Sequence, residues 1–369
     1  MRRPILWLGV LCVASPAVAQ TPAPVPAVVG APVRYEKAIE WTRQFIRDTM
    51  RVLGAPGASI TVIKDGHVIW SEGFGMADLE QQVPATPLTR FRVGSVSKPL
   101  TSAALGLLVE QHKLDLDAPI QKYVPSFPQK PWPITTRQLA GHLAGIRHYK
   151  EGEFENQKHY TTVLEGLKIF QDDTLLFQPG TKYSYSSYGW NIIAAVIEGA
   201  SGEPFLTFMS NRVFGPAGMT HTVAEFPDSL IPFRARFYER PDSSGGMLNA
   251  RYVDNSYKWA GGGFLSTTED LAQFGEVMLE GTLLKPATVK MLWTPQRTSD
   301  GKPTDYGMGW GTLRTTDGRE WISHTGGSMG GTAHLLLCPK ERLVVAILVN
   351  SDETFISAGT TIGQKFLEP

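Results

Sequence analysis

The sequence predicts an α+β protein in which one antiparallel sheet is built from both ends of the chain and a helical lobe is inserted between them. Three observations carry that expectation. Near the start, "ASITVIKDGHVIWSEGFG" holds two apolar runs around Asp65-Gly66, a dipeptide suited to a tight hairpin. Near the end, "TAHLLLCPKERLVVAILVN" repeats the arrangement around Pro339 to Arg342. The middle is helical in its periodicity, and strands with one apolar face must pair, so the two terminal hairpins are expected to join in one sheet.

The elements follow in chain order. Residues 1–19 join two arginines to a short apolar run and the small-x-small site Ala17-Val18-Ala19, which predicts a secretory signal cleaved after Ala19 and a secreted or periplasmic protein. Cys12 suits a lipid-anchoring signal poorly, because the bulky Leu11 precedes it. Residues 20–34 are rich in Pro, Ala and Val and read as an extended tether. The folded domain is expected over 35–369, with the helical lobe over approximately 99–257. Ile39, Phe45, Ile46 and Met50 recur at helical spacing before the first hairpin. Within the lobe, Lys98 to Gln111 reads as a helix with a long apolar face. Thr135 and Gln138 form a capping box before another, and "GWNIIAAVIEGASG" supplies a third. "ETFISAGTTIGQKFLE" reads as a closing helix.

Composition narrows the function. The chain has 369 residues, 42% hydrophobic and 19% charged, enough to bury a substantial core. Lys plus Arg and Asp plus Glu each total 35, so no basic surplus exists to gather phosphates, and nucleic acid is not an expected partner. After the leader no segment approaches the roughly 20 apolar residues of a membrane helix, so stable membrane insertion is not expected. Cys338 alternates with apolar neighbours and reads as a buried strand thiol. Neither H-E-x-x-H nor C-x-x-C occurs, and His142 and His148 straddle a helix end where structural roles are expected. No metal or cofactor is implied.

The chemistry-bearing stretch is "FRVGSVSKPLTSAALGLLVE", where Ser95 and Lys98 stand three apart at the start of an apolar helix. That spacing puts the amine within reach of the hydroxyl. A serine attacks poorly until a base takes its proton, and a desolvated lysine can be that base. Ser299 and Lys302 share the spacing but sit in the polar "TSDGKPTD", with no helix to follow. Tyr183, Tyr185 and Tyr188 precede the third helix and could move protons, or could be packed aromatics. "WISHTGGSMGGTAHLLL" leads from a strand into glycines that could let backbone amides approach a ligand. Gly326 to Gly330 also matches G-x-S-x-G, but no acid lies between Ser328 and His334, so the order Ser, acid, His fails.

Taken in order, "GSVSK", "HLAGIRHY", "PGTKYSYSSYG", "GMTHT", "GGGFLSTTEDLAQF" and "HTGG" resemble the serine β-lactamase-related hydrolases. That superfamily contains class C β-lactamases, low-molecular-weight penicillin-binding peptidases, D-aminopeptidases and esterases. The segments are most similar to bacterial relatives of the mitochondrial serine β-lactamase-like protein. The resemblance implies a β-lactamase/transpeptidase-like fold and a serine hydrolase in which Ser95 is acylated. It implies that Lys98 keeps Ser95 reactive and Tyr185 relays protons, with either one as the acylation base. The amides of Ser95 and Gly327 would form the oxyanion hole, and Ser187, His324, Thr325 and Gly326 would bind substrate.

Two departures from the family pattern shape the expected specificity. Tyr-x-Asn reads Tyr185-Ser186-Ser187, which removes a carboxamide from the substrate site. Lys-Thr-Gly reads His324-Thr325-Gly326, and an unperturbed histidine (pKa about 6.5) would anchor a carboxylate less well than lysine and add pH dependence. An exported hydrolase of a small-molecule or peptide substrate is therefore expected ahead of a β-lactamase or D,D-carboxypeptidase. A penicillin-recognising or assembling scaffold without turnover is the remaining alternative, and an oligomer is compatible with each.

Overall fold

Asp65 and Gly66 both take positive φ, 53° and 81°, the backbone that lets a two-residue turn follow the twist of its strands. They join β1 (Gly57–Lys64) to β2 (His67–Asp78), and β3 (Val83–Pro84) extends that side. From the other end come β4 (Gly311–Arg314), β5 (Glu320–Ser328), β6 (Gly331–Cys338) and β7 (Leu343–Val349). These seven form one sheet in the order β3-β2-β1-β7-β6-β5-β4. Its seam is the antiparallel pairing of β1 with β7, from Ala58 opposite Val349 to Lys64 opposite Leu343, so the two chain ends meet as expected. The computed structural model describes residues 33–240, 246–352 and 358–368. The expected leader and nearly all of the expected tether lie outside them.

Both faces of β7 are covered, which is why "LVVAILV" is apolar without alternation. Leu343, Val345, Ile347 and Val349 pack with Ile39, Ile46, Trp70, Ile362 and Phe366 beneath helices Glu36–Leu53 and Gly359–Leu367. Val344, Ala346 and Leu348 join the larger core on the opposite face. Helix Thr268–Glu280 lies on that face. Thr268 Oγ1 sits 2.9 Å from both Ser59 Oγ and Thr61 Oγ1, pairing the only hydroxyls that β1 turns inward. The closing helix is seen over Gly359–Leu367, and residues 353–357 lie outside the described part.

Between the two groups of strands the chain is mostly helical. Helix Ser97–Glu110 and helix Ser187–Ser201 are buried nearly all round, the mark of central rather than surface helices. The predicted capping box is present, with Thr135 and Gln138 satisfying each other's backbone amides before Thr136–Ala140. Among the described residues no single helix is long and apolar enough to cross a membrane. Cys338 ends β6 as a buried thiol.

Candidate active site

Ser95 is set by a short strand and a forced turn. Phe91–Arg92 pairs with Phe264–Ser266, and the Val93 amide donates to the Phe264 carbonyl at 3.1 Å. The chain then turns through the 3-10 segment Gly94–Val96 into helix Ser97–Glu110. Gly94 has φ 48°, and a side chain there would meet the Gly327 carbonyl, so only glycine allows this approach of turn and strand. Pro99 lies in the first helical turn, where no amide partner is needed. From Phe91 to Leu100 every residue is buried except Ser95, which reaches solvent.

Lys98 is fully buried one turn beyond. Its Nζ lies 2.9 Å from Ser95 Oγ, 3.1 Å from Ser187 Oγ and 2.8 Å from the Gly261 carbonyl. Burial, and secondarily the charge of Lys258, holds its pKa well below the usual lysine range. When the amine loses its proton, two N–H bonds can serve Gly261 and Ser187 and leave the lone pair for the Ser95 hydroxyl. The Tyr185 hydroxyl donates to the same Ser95 Oγ at 2.9 Å. Burial pushes the phenol above its ordinary value, against the Ser95 hydrogen bond, so Tyr185 holds its proton at neutral pH. The pair can therefore accept a proton through one partner and supply one through the other. Of the other two tyrosines, Tyr183 is exposed and Tyr188 is buried, donating to Glu153 at 2.9 Å.

The strand residues separate by face. β4 pairs with β5 only through residues 320–323, which leaves the edge of β5 from His324 onward free beside the Ser95 turn. Thr325 is partly exposed and Gly327 exposed, with nothing near the place a Gly327 side chain would fill. His324 and Gly326 are buried, and one expectation changes. At Gly326 a Cβ would collide with the Val93 carbonyl, so the close approach of strand and turn requires glycine there. His324 adds no pH dependence near neutrality: burial first, and Lys98 second, push it down to about 3. Its Nε2 accepts from Tyr306 at 2.7 Å, and its Nδ1 donates to the Thr325 carbonyl at 2.6 Å.

Ser187, read as a substrate contact, is buried at the start of its helix and holds Lys98. The structural roles expected of His142 and His148 lie here, although their partners were not foreseen. His148 Nδ1 accepts the Ser187 amide at 3.2 Å and His142 Nδ1 accepts the Ser186 amide at 3.1 Å, while the His142 ring lies 4.3 Å from that of Tyr185. Burial, then Lys98, depresses both imidazoles, His148 to about 4, and so keeps them neutral acceptors. No local spacing marks these contacts, which join residues 44 and 39 apart in the chain. The decoys fall away, since Ser299 and Lys302 lie in an exposed turn and Ser328 is buried in β5.

The protein-family model described as Beta-lactamase matches residues 42–362. The chain belongs to that family. The mitochondrial serine beta-lactamase-like protein LACTB of Mus musculus is 35% identical over 89% of this chain and 76% of its own length. A D-aminopeptidase of Gluconobacter oxydans is 30% identical over 80% of this chain and 56% of its own. Among solved structures, the octameric penicillin-binding protein homologue from Pyrococcus abyssi is similar with a TM-score of 0.76 at 25% identity, over 89% of this chain and 76% of that one. A class C beta-lactamase shares the fold with a TM-score of 0.76 at 17% identity, over 92% of this chain and 98% of that one. The Beta-lactamase family is one of serine hydrolases and acyl transferases that includes D-aminopeptidase and penicillin-binding-protein-like members.

Proposed function

We propose that this member of the Beta-lactamase family is an exported serine hydrolase that cleaves a peptide, amide or ester through an acyl intermediate on Ser95. One observation carries the reading: the only solvent-reaching side chain of its segment has a buried amine and a neutral phenol each 2.9 Å from its oxygen. Neutral Lys98 takes the hydroxyl proton as Ser95 attacks the carbonyl carbon. The oxyanion is received by the Ser95 and Gly327 amides at the free edge of β5. Tyr185 gives its proton to the leaving group and is reprotonated from the Lys98 ammonium, which holds the proton taken from Ser95. Water then attacks the acyl carbon by the reverse relay. The assignment of export follows residues 1–19.

The site favours such substrates over β-lactams. A neutral His324 with both nitrogens bonded offers no cation to a β-lactam carboxylate. A scaffold without turnover would not need Ser95, Lys98 and Tyr185 together. The octameric homologue supports self-assembly alongside turnover. Steady-state hydrolysis of a neutral p-nitrophenyl ester, a D-amino-acid anilide and a chromogenic cephalosporin tests the reading. The ester or anilide is expected to exceed the cephalosporin in kcat/KM by roughly tenfold or more, the scale of one missing charge-assisted contact. Cephalosporin turnover ahead of both overturns the preference, and no turnover of any of the three overturns the enzyme.

A further inference from the structure

Lys258 is a second buried lysine beside the reactive serine, and the relay above leaves it unused. It ends the 3-10 turn Asn255–Lys258, directly before the helical turn Trp259–Gly262 whose Gly261 carbonyl holds Lys98. Its stem passes close to the nucleophile turn. A Cβ built on Gly262 would lie 3.7 Å from both Lys258 Cδ and the Gly94 carbonyl carbon. The ammonium lies 4.2 Å from the ring centre of Phe154, 5.2 Å from Tyr257 and 5.5 Å from Tyr149. These rings offer their negative faces to a cation.

What the ammonium lacks is an anion. Among the described residues it has no hydrogen-bond acceptor and no carboxylate partner, although the residue is only 2% exposed. The nearby acid is already engaged. Glu225 accepts from Arg92 Nε at 2.9 Å and from Asn255 Nδ2 at 2.7 Å. A buried cation without a counter-ion is costly, and the rings offset only part of that cost. At the strand position where the family pattern has lysine, His324 is neutral and occupied. Among the described residues near Ser95, Lys258 is therefore the cation left to meet a charged ligand.

We propose that Lys258 recognises a carboxylate carried by the acyl portion of the substrate. The inference rests on the serine-hydrolase reading and adds its specificity. The half of the substrate is set by Tyr185. A leaving group must reach the Tyr185 hydroxyl, whose ring is flanked by His142, His148 and His324. The Lys258 stem lies instead near Gly262, which itself neighbours Gly94 of the Ser95 turn, and the other half of the substrate is assigned to it. Burial, then Arg92, brings the amine down to about 7 with Glu225 opposing, and a bound carboxylate would restore its charge.

The test compares p-nitrophenyl acetate with the mono-p-nitrophenyl ester of glutaric acid, which differ in one acyl carboxylate. The wild type is expected to prefer the charged ester. Lys258→Met should lower the charged-to-neutral ratio of kcat/KM by about tenfold to a hundredfold, mainly through KM, while Lys258→Arg should preserve it. A proportionate fall on both esters, or an unchanged ratio, overturns the proposal. Calorimetric titration of glutarate into Ser95→Ala protein tests recognition without turnover. Binding that disappears in Ser95→Ala/Lys258→Met supports the proposal even if neither ester is cleaved, an outcome that would sink the hydrolase reading alone. Absence of glutarate binding to Ser95→Ala protein overturns it.

Discussion

Replacing His324 by Gln separates a neutral structural imidazole from a charged substrate anchor. In the folded protein His324 is pushed down to about 3, because burial and the neighbouring Lys98 both oppose protonation. Its unfolded value is near ~6.5. The folded pKa is depressed, so below pH 6.5 the unfolded chain binds a proton that the native site refuses. Stability is lost as pH falls through that window, and the loss stops only near the folded value. With the folded group unprotonated at pH 5, the loss between pH 7 and pH 5 is ~2 kcal/mol from this residue. Urea denaturation at the two pH values measures it as a difference between wild type and His324→Gln, so the other titrating groups cancel. The wild-type protein should lose ~2 kcal/mol more than the variant on acidification. Equal losses would mean that His324 protonates normally in the fold. A limb near pH 6.5 in wild-type kcat/KM, absent in the variant, would restore the charged-anchor role.

Two further substitutions follow from the site's packing. Tyr185→Phe removes one hydroxyl from a buried ring and is expected to lower kcat by about 10²–10⁴ with KM little changed, since it deletes a proton donor rather than a contact surface; a near-normal kcat would show the phenol is a spectator. Gly326→Ala and Gly327→Ala should differ despite adjacency. The first forces a methyl onto the Val93 carbonyl and should destabilise the protein by more than ~2 kcal/mol, whereas the second points into open space and should leave the melting temperature unchanged. Equal melting temperatures would show that β5 does not press on the Ser95 turn.

Much of the fold was legible because its signals are local. Asp65-Gly66 encodes a turn through its own backbone, and Thr135 with Gln138 encodes a cap through two side chains three residues apart. Ser95 and Lys98 were readable for the same reason, since one helical turn joins them. What the sequence hid depends on contacts across the chain. The bond from Lys98 to Ser187 is invisible until helix Ser187–Ser201 is placed against Lys98. His324 looks titratable until the β5 interior buries it against Tyr306. Lys258 sits in "DNSYKWAGGG" with nothing nearby to mark it, and its meaning comes from Phe154 and Tyr149, about a hundred residues earlier. Burial and the absence of a counter-ion are properties of the assembled site, and no periodicity announces them.

The most direct test is intact-protein mass spectrometry after exposure to a fluorophosphonate, with Ser95→Ala as control. A buried neutral amine and a protonated phenol converging on Ser95 predict one stoichiometric adduct on the wild type and none on the variant. An adduct that persists in Ser95→Ala, or no adduct on the folded wild-type protein, would contradict the assignment of Ser95 as the activated nucleophile.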